Sequence, residues 1–293
     1  MTNQLALLDA DLAPLTDTGD GTKAFAADLA YRKLSIVNVI FYGDPGRDGW
    51  VLIDTGLPTS RSTIIECAER RFGENTRPAA ILMTHAHFDH AGSLEELAQH
   101  WDVPVYAHSL EAPFLNGETS YPPADPWVGG GAMSLLSPLY PRSPVDVRLR
   151  MRMLPEDGSV PFMPGWRWLH TPGHTPGHIS LWRERDRTLI AGDAVITTGQ
   201  ESAYEVLTQK PEIHGPPRYL TPDWELSEQS ARLLARLAPD LIISGHGRPV
   251  KGPNVTAKLR ELAEKFRQIA VPDDARYDHE SATPAGGHKD AHH

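Results

Sequence analysis

The chain has 293 residues, 28 Lys+Arg against 38 Asp+Glu for a formal net charge of -10, and 40% hydrophobic and 23% charged residues. These are globular proportions with enough length for a large core, and they exclude a disordered or fibrous chain. The acidic balance argues against a nucleic-acid partner. The single cysteine, Cys67, excludes an intramolecular disulfide and a Cys-rich zinc finger, and no apolar run approaches the ~18 residues of a membrane span.

The opening MTNQLALLDADLAPL carries Asp9 and Asp11 and no basic residue, unlike a signal peptide, so the expected location is the cytoplasm. Residues 34–42 and 50–54 read as two strands joined by the turn sequence GDPGRDG. Ile64, Ile65, Ala68 and Phe72 recur at helical spacing over 60–72, with Gly73 as the stop. An apolar run, Ala79 to Met83, leads into a polar loop. Ser93 with Glu96 predicts a capping box for a helix over 93–100, and VPVYA at 103–107 predicts another strand. Residues 112–146, rich in Pro and Gly, have no clear period and read either as a functional loop or as a surface insertion packed by its own aromatics. Strands follow at 166–170, 178–183, 188–192 and 241–244, and helices at 227–238 and 254–269. The strand–helix order predicts an α/β layered domain over 1–270. The His-rich tail, 271–293, lacks an apolar period and is expected to be disordered.

The densest chemistry is Thr84-His85-Ala86-His87-Phe88-Asp89-His90, directly after an apolar strand. In extended chain, alternate side chains share a face, so His85, His87 and Asp89 converge, and His90 turns with the loop. Imidazole and carboxylate donors suit zinc, iron or manganese. Three further candidates stand in Pro/Gly-flanked turns: His174 in HTPGHTPGH, Asp193 in AGDA and His246 in SGHG.

This ordered set, HxHxDH, then TPGHT, GD and GHG, with LIDTG at 52–56 upstream, resembles the metallo-β-lactamase-fold superfamily of metal-dependent hydrolases. The resemblance spans roughly residues 34 to 250 and implies a four-layer αββα sandwich. It implies two divalent ions, zinc first and iron or manganese as alternatives. His85, His87 and His174 would hold one ion, Asp89, His90 and His246 the second, and Asp193 would bridge them. Asp54 and His178 would support the ligands from behind, and Asp89 would also steer the nucleophile or shuttle a proton.

The implied reaction is attack of a metal-bridging hydroxide on an ester or lactone, or on a phosphotriester, of a small molecule. A metal-bound water has a pKa near ~7. The insert at 112–146 is expected to roof the pocket and the loop at 196–222 to wall it. Tyr121, Trp127, Tyr140, Tyr204, His214 and Tyr219 are the candidate pocket residues. One departure is Ile196, where acyl-homoserine lactonases often carry Tyr three residues after the bridging Asp. A glyoxalase II-like thioesterase is the alternative, set back by the short sequence after His246. A β-lactamase and a non-catalytic metal-binding module rank lower, the first for want of an export signal and the second because all seven ligands are intact.

Overall fold

Strand-length alternation places two sheets back to back. The computed structural model describes residues 5–121, 145–199 and 210–272. The larger sheet runs in chain order through β2 (Thr16–Asp17), β3 (Lys23–Ala26), β4 (Leu29–Leu34), β5 (Val37–Tyr42), β6 (Val51–Ile53), β7 (Ala80–Leu82), β8 (Val105–Ala107) and β9 (Met151–Met153). It is antiparallel as far as β6 and parallel from β6 to β9. The second sheet orders β10 (Trp166–His170), β11 (Ile179–Arg183), β12 (Thr188–Gly192), β14 (Leu241–Ser244) and β15 (Val250–Lys251), with β12 and β14 parallel. A short pair, β1 (Leu5–Ala6) with β13 (Glu212–Ile213), completes the strands among the described residues.

Period-two side-chain placement sorts the core into three layers. Val39, Phe41, Leu52, Ile81 and Met83 face α1 (Arg61–Phe72) and α3 (Leu94–Trp101), where Ile64, Phe72, Leu94, Leu97 and Trp101 meet them. Their neighbours Ile40, Val51, Ile53 and Leu82 point the other way, onto Ile179, Leu181, Ile190 and Ile243 of the second sheet. Leu189, Ala191 and Ile242 face outward again. They pack on α5 (Trp224–Leu237), α6 (Pro253–Glu264) and α7 (Phe266–Ile269). Helix, sheet, sheet, helix is the expected four-layer order.

Local expectations change at several points, and the helix predicted over 254–269 is two, α6 and α7, meeting at Lys265. The strand predicted over 34–42 begins only at Val37, because Leu34 ends β4 and Ser35, with a left-handed φ of 56°, turns β4 back along β5. The capping box at Ser93 does not form: the Ser93 hydroxyl donates to the Leu57 carbonyl at 2.6 Å, a tertiary bond in place of the local cap. Of the 112–146 insert, only α4 (Ala112–Leu115), the residues up to Tyr121 and those from 145 onward are described. The His-rich tail from residue 273 onward lies outside the described residues. No helix among the described residues is long and apolar enough to cross a membrane.

Candidate metal centre

The four parallel-strand ends deliver the polar residues to one edge of the sandwich. Asp54 follows β6, the His85–His90 loop follows β7, Asp193 follows β12, and His246 follows β14. His174 comes from the turn between β10 and β11. The β7 loop departs from the extended run expected for it. It is extended at His87 (φ -61°, ψ 153°) and then winds into α2 (Phe88–Ala91), which brings Asp89 and His90 inward by a helical turn.

All seven residues singled out from sequence converge, and all are buried. Donor atoms fall within 4.8 Å of one another in three overlapping groups: His85, His87 and His174; His85, His90 and Asp193; Asp89, His90 and His246. His87 Nδ1 lies 2.9 Å from His174 Nε2. Asp193 reaches His246 Nε2 at 3.1 Å and the Nε2 atoms of His90 and His174 at 3.5 Å, so it touches every group of the cluster. Asp89 Oδ2 lies 3.3 Å from His246 Nε2.

The surrounding hydrogen bonds fix which nitrogen faces the centre. Thr84 Oγ1 donates its proton to Asp54 Oδ2 at 2.7 Å, so His85 Nδ1–H, 3.0 Å away, donates to that hydroxyl. His90 Nδ1–H donates to Asp54 Oδ2 at 2.8 Å and His246 Nδ1–H to the Ile36 carbonyl at 2.7 Å. Thr221 commits its own proton to the Pro217 carbonyl, so His174 Nδ1–H donates to Thr221 at 3.1 Å. Four imidazoles therefore have Nδ1 committed behind them and turn Nε2 toward the centre, the arrangement found in metal-binding histidines. His85 Nε2, His90 Nε2, Asp89 Oδ1 and Asp193 Oδ1 are buried there without a hydrogen-bond partner. Orphaned lone pairs aimed into one space, from imidazole and carboxylate alone, fit a divalent cation.

Charge follows the same division. Burial drives His85 and His174 well below the ordinary histidine range and His87 down to about 4, with neighbouring imidazoles adding to the shift in His85 and His174. Burial also opposes protonation of His246 and His90. At His246 the carboxylates of Asp193 and Asp89 outweigh it and raise the imidazole to about 10; at His90, Asp193, Asp54 and Asp89 raise it well above its usual value. The same histidines outweigh the burial of Asp193 and hold it well below the carboxylate range. The carboxylate-rich side draws in positive charge, which a bound cation would supply in place of protons.

His178 is buried beside these candidate donors but its ring is committed. Its Nε2 accepts the Asp193 N–H at 2.8 Å, its Nδ1 meets Thr171 Oγ1 at 2.9 Å, and burial takes it down to about 3. It orients the Asp193 backbone. Asp54 accepts three donors while holding a left-handed φ of 58°, strain of the kind that collects at functional sites. Gly245 leaves room for the carboxylate: a Cβ there would stand 2.0 Å from Asp193 Oδ1.

Of the six candidate pocket residues, Tyr121 lies beside the centre, its ring 4.4 Å from that of His87. Tyr219 is buried. His214 is also buried, with Nδ1 donating to the Gly215 carbonyl. Trp127, Tyr140 and Tyr204 lie outside the described residues. Sequence reasoning missed Asn38 and Glu111. Asn38 Nδ2 donates to the Ser244 and Gly247 carbonyls at 2.9 and 2.8 Å, pinning the His246 turn to β5. Glu111 bonds to the loops carrying His85, His87 and His174.

A profile described as the metallo-beta-lactamase superfamily matches residues 32–246, which contain every one of these donors. The chain belongs to the metallo-beta-lactamase superfamily. A relative described as the probable metallo-hydrolase YflN of Bacillus subtilis (strain 168) is 48% identical over 258 residues, 87% of this chain and 98% of that one. A hydroxyacylglutathione hydrolase of Bdellovibrio bacteriovorus is 31% identical over 127 residues, 43% of this chain and 38% of that one. Among solved structures, a beta-lactamase domain protein from Burkholderia ambifaria superposes with a TM-score of 0.60 at 22% identity, covering 89% of this chain and 78% of that one. At that identity the likeness shows the superfamily's fold. The lactonase and esterase branch is a finer assignment than these relatives carry.

Proposed function

We propose that this metallo-hydrolase holds two divalent cations, zinc first, and hydrolyses an ester or lactone bond in a small molecule. The observation that carries the reading is the convergence of buried imidazole and carboxylate atoms from both sheets, with His85 Nε2, His90 Nε2, Asp89 Oδ1 and Asp193 Oδ1 left without a hydrogen-bond partner. His85, His87 and His174 would hold one ion, Asp89, His90 and His246 the other, and Asp193 would serve both. Two such ions supply a hydroxide at neutral pH and an electrophilic site for the developing oxyanion.

The chain's own part is orientation and proton handling. Thr84, Asp54, Thr221 and the Ile36 carbonyl hold Nδ1 of these imidazoles, so Nε2 faces the centre before substrate arrives. Asp89 turns an unpaired Oδ1 into the site and can take the proton of the attacking water and hand it to the leaving group. The Tyr121 ring beside His87 gives the site an aromatic wall for the acyl portion.

The hydroxyacylglutathione hydrolase relatives favour a second reading, a thioesterase. Rates on p-nitrophenyl acetate, a γ-lactone, paraoxon and a glutathione thioester, with and without added zinc, separate the two. The proposal expects zinc-dependent turnover highest on an ester or lactone. A preference for the thioester by tenfold or more would replace it, and no zinc-dependent turnover on any of the four would overturn both.

A further inference from the structure

Glu111 sits in the turn after β8, is fully buried, and has no part in the chemistry above. A buried carboxylate needs its lone pairs filled. Here Oε1 accepts from Thr175 Oγ1 at 2.7 Å and from Gly177 N–H at 2.8 Å, while Oε2 accepts from Ala86 N–H at 3.0 Å and from the Tyr121 hydroxyl. Those donors are not scattered. Ala86 stands between His85 and His87 in the loop of the larger sheet, and Thr175 directly follows His174 in the turn of the second sheet. One carboxylate thus ties together the loops that present three imidazoles to each other. The fit is close: a Cβ on Gly177 would lie 2.7 Å from the Glu111 nitrogen and 2.9 Å from Oε1, so the second glycine of HTPGHTPGH makes room for this contact.

The other half of the cluster has separate anchors. Asp54 holds His90, and the Ile36 carbonyl and Asn38 hold the His246 turn. We propose that Glu111 is a positioning residue for the three-histidine pocket alone. Its four bonds would fix the spacing of His85 and His87 against His174, and its buried negative charge would favour a cation among three neutral ligands. This rests on the metal-centre reading above and adds a division of labour between the two pockets.

The test is Glu111→Gln, which keeps the shape but removes the charge and sets an amide N–H₂ against two of the four donors. Zinc affinity is read by chelator competition and the visible spectrum is read on cobalt-loaded protein. The expectation is that one zinc equivalent weakens by ~10–100-fold, the range for partners behind metal ligands, while the other stays within about threefold. The cobalt bands of that same equivalent should change. Thr175→Val, which deletes one donor and leaves the charge, should weaken the same equivalent by a smaller factor; it decides the matter if the glutamine variant does not fold. Unchanged affinity at both equivalents, or equal losses at both that track a fall in Tm, would overturn the proposal and leave Glu111 a general packing group. Wild-type protein that takes up a single zinc would overturn the dinuclear reading instead, and Glu111 would then be judged by the affinity of that one ion. Wild type that takes up none overturns both.

Discussion

Asp54→Asn tests whether the centre is assembled by the hydrogen bonds behind it. Asparagine tolerates the left-handed φ of 58° that Asp54 adopts, so the backbone is spared and only the charge and one acceptor are lost. Asp54 accepts the Thr84 N–H at 2.8 Å through Oδ1, and Thr84 Oγ1 at 2.7 Å and His90 Nδ1–H at 2.8 Å through Oδ2. If the amide nitrogen replaces Oδ1, it faces the Thr84 N–H, donor against donor. If it replaces Oδ2, it faces the His90 Nδ1–H and pushes that proton to Nε2, the atom aimed at the centre. Thr84 Oγ1 would then accept from the amide and turn its proton toward His85 Nδ1, 3.0 Å away, moving the His85 proton to Nε2 as well. Loss of the charge-assisted bond to His90 alone is worth ~1.5–3 kcal/mol, or ~10–100-fold in affinity. With His85 also affected, the expected loss of zinc affinity is about 100-fold, within the range for partners behind metal ligands. Chelator competition measures it, and the thermal stability of the metal-free protein reports whether the fold survived. Zinc bound within about threefold of wild type by a folded Asn variant would refute the tautomer argument.

Asp193→Asn should weaken zinc binding and cut turnover by at least ~10–100-fold, because this carboxylate touches every group of the cluster; wild-type zinc stoichiometry and rate would contradict it. Metal-free protein should lose stability as pH falls. Burial holds His87 at about 4 and His178 at about 3, both below the ~6.5 of an unfolded histidine. The unfolded chain therefore takes up protons that the native one refuses, and their stabilisation, present above ~6.5, is lost between ~6.5 and their folded values. At the alkaline end His246 behaves oppositely: its contribution is complete below ~6.5 and is lost as pH rises through about 10. Melting curves on chelator-treated protein should show Tm falling from pH 7 to 5, and a flat profile there would refute the assignment.

The candidate donors were readable because each belongs to a short, locally coded unit: an apolar strand, then a turn bearing His or Asp beside Gly, Pro or Thr. The sandwich was readable for a related reason, since period-two alternation in segments such as 188–192 already divides Leu189 and Ala191 from Ile190. What stayed hidden depends on partners far away in the chain. Asn38 acts on carbonyls more than 200 positions later, and nothing near it in sequence marks a buried amide. Glu111 reads as one more polar residue in SLEAPFL until β8 carries it between two loops from different sheets. The same distance effect explains the local errors. Ser93 has the residues of a capping box, yet the Leu57 carbonyl comes within 2.6 Å and takes its proton. At His178 the expected supporting role has the same long-range origin: its Nε2 accepts the backbone N–H of Asp193, placed there by a neighbouring strand. A histidine's type and spacing therefore select candidates for a metal centre, while its ligand nitrogen is decided by the hydrogen bond on the far side of the ring. That bond is made by Thr84, Asp54, Thr221 or the Ile36 carbonyl in the turn between β4 and β5.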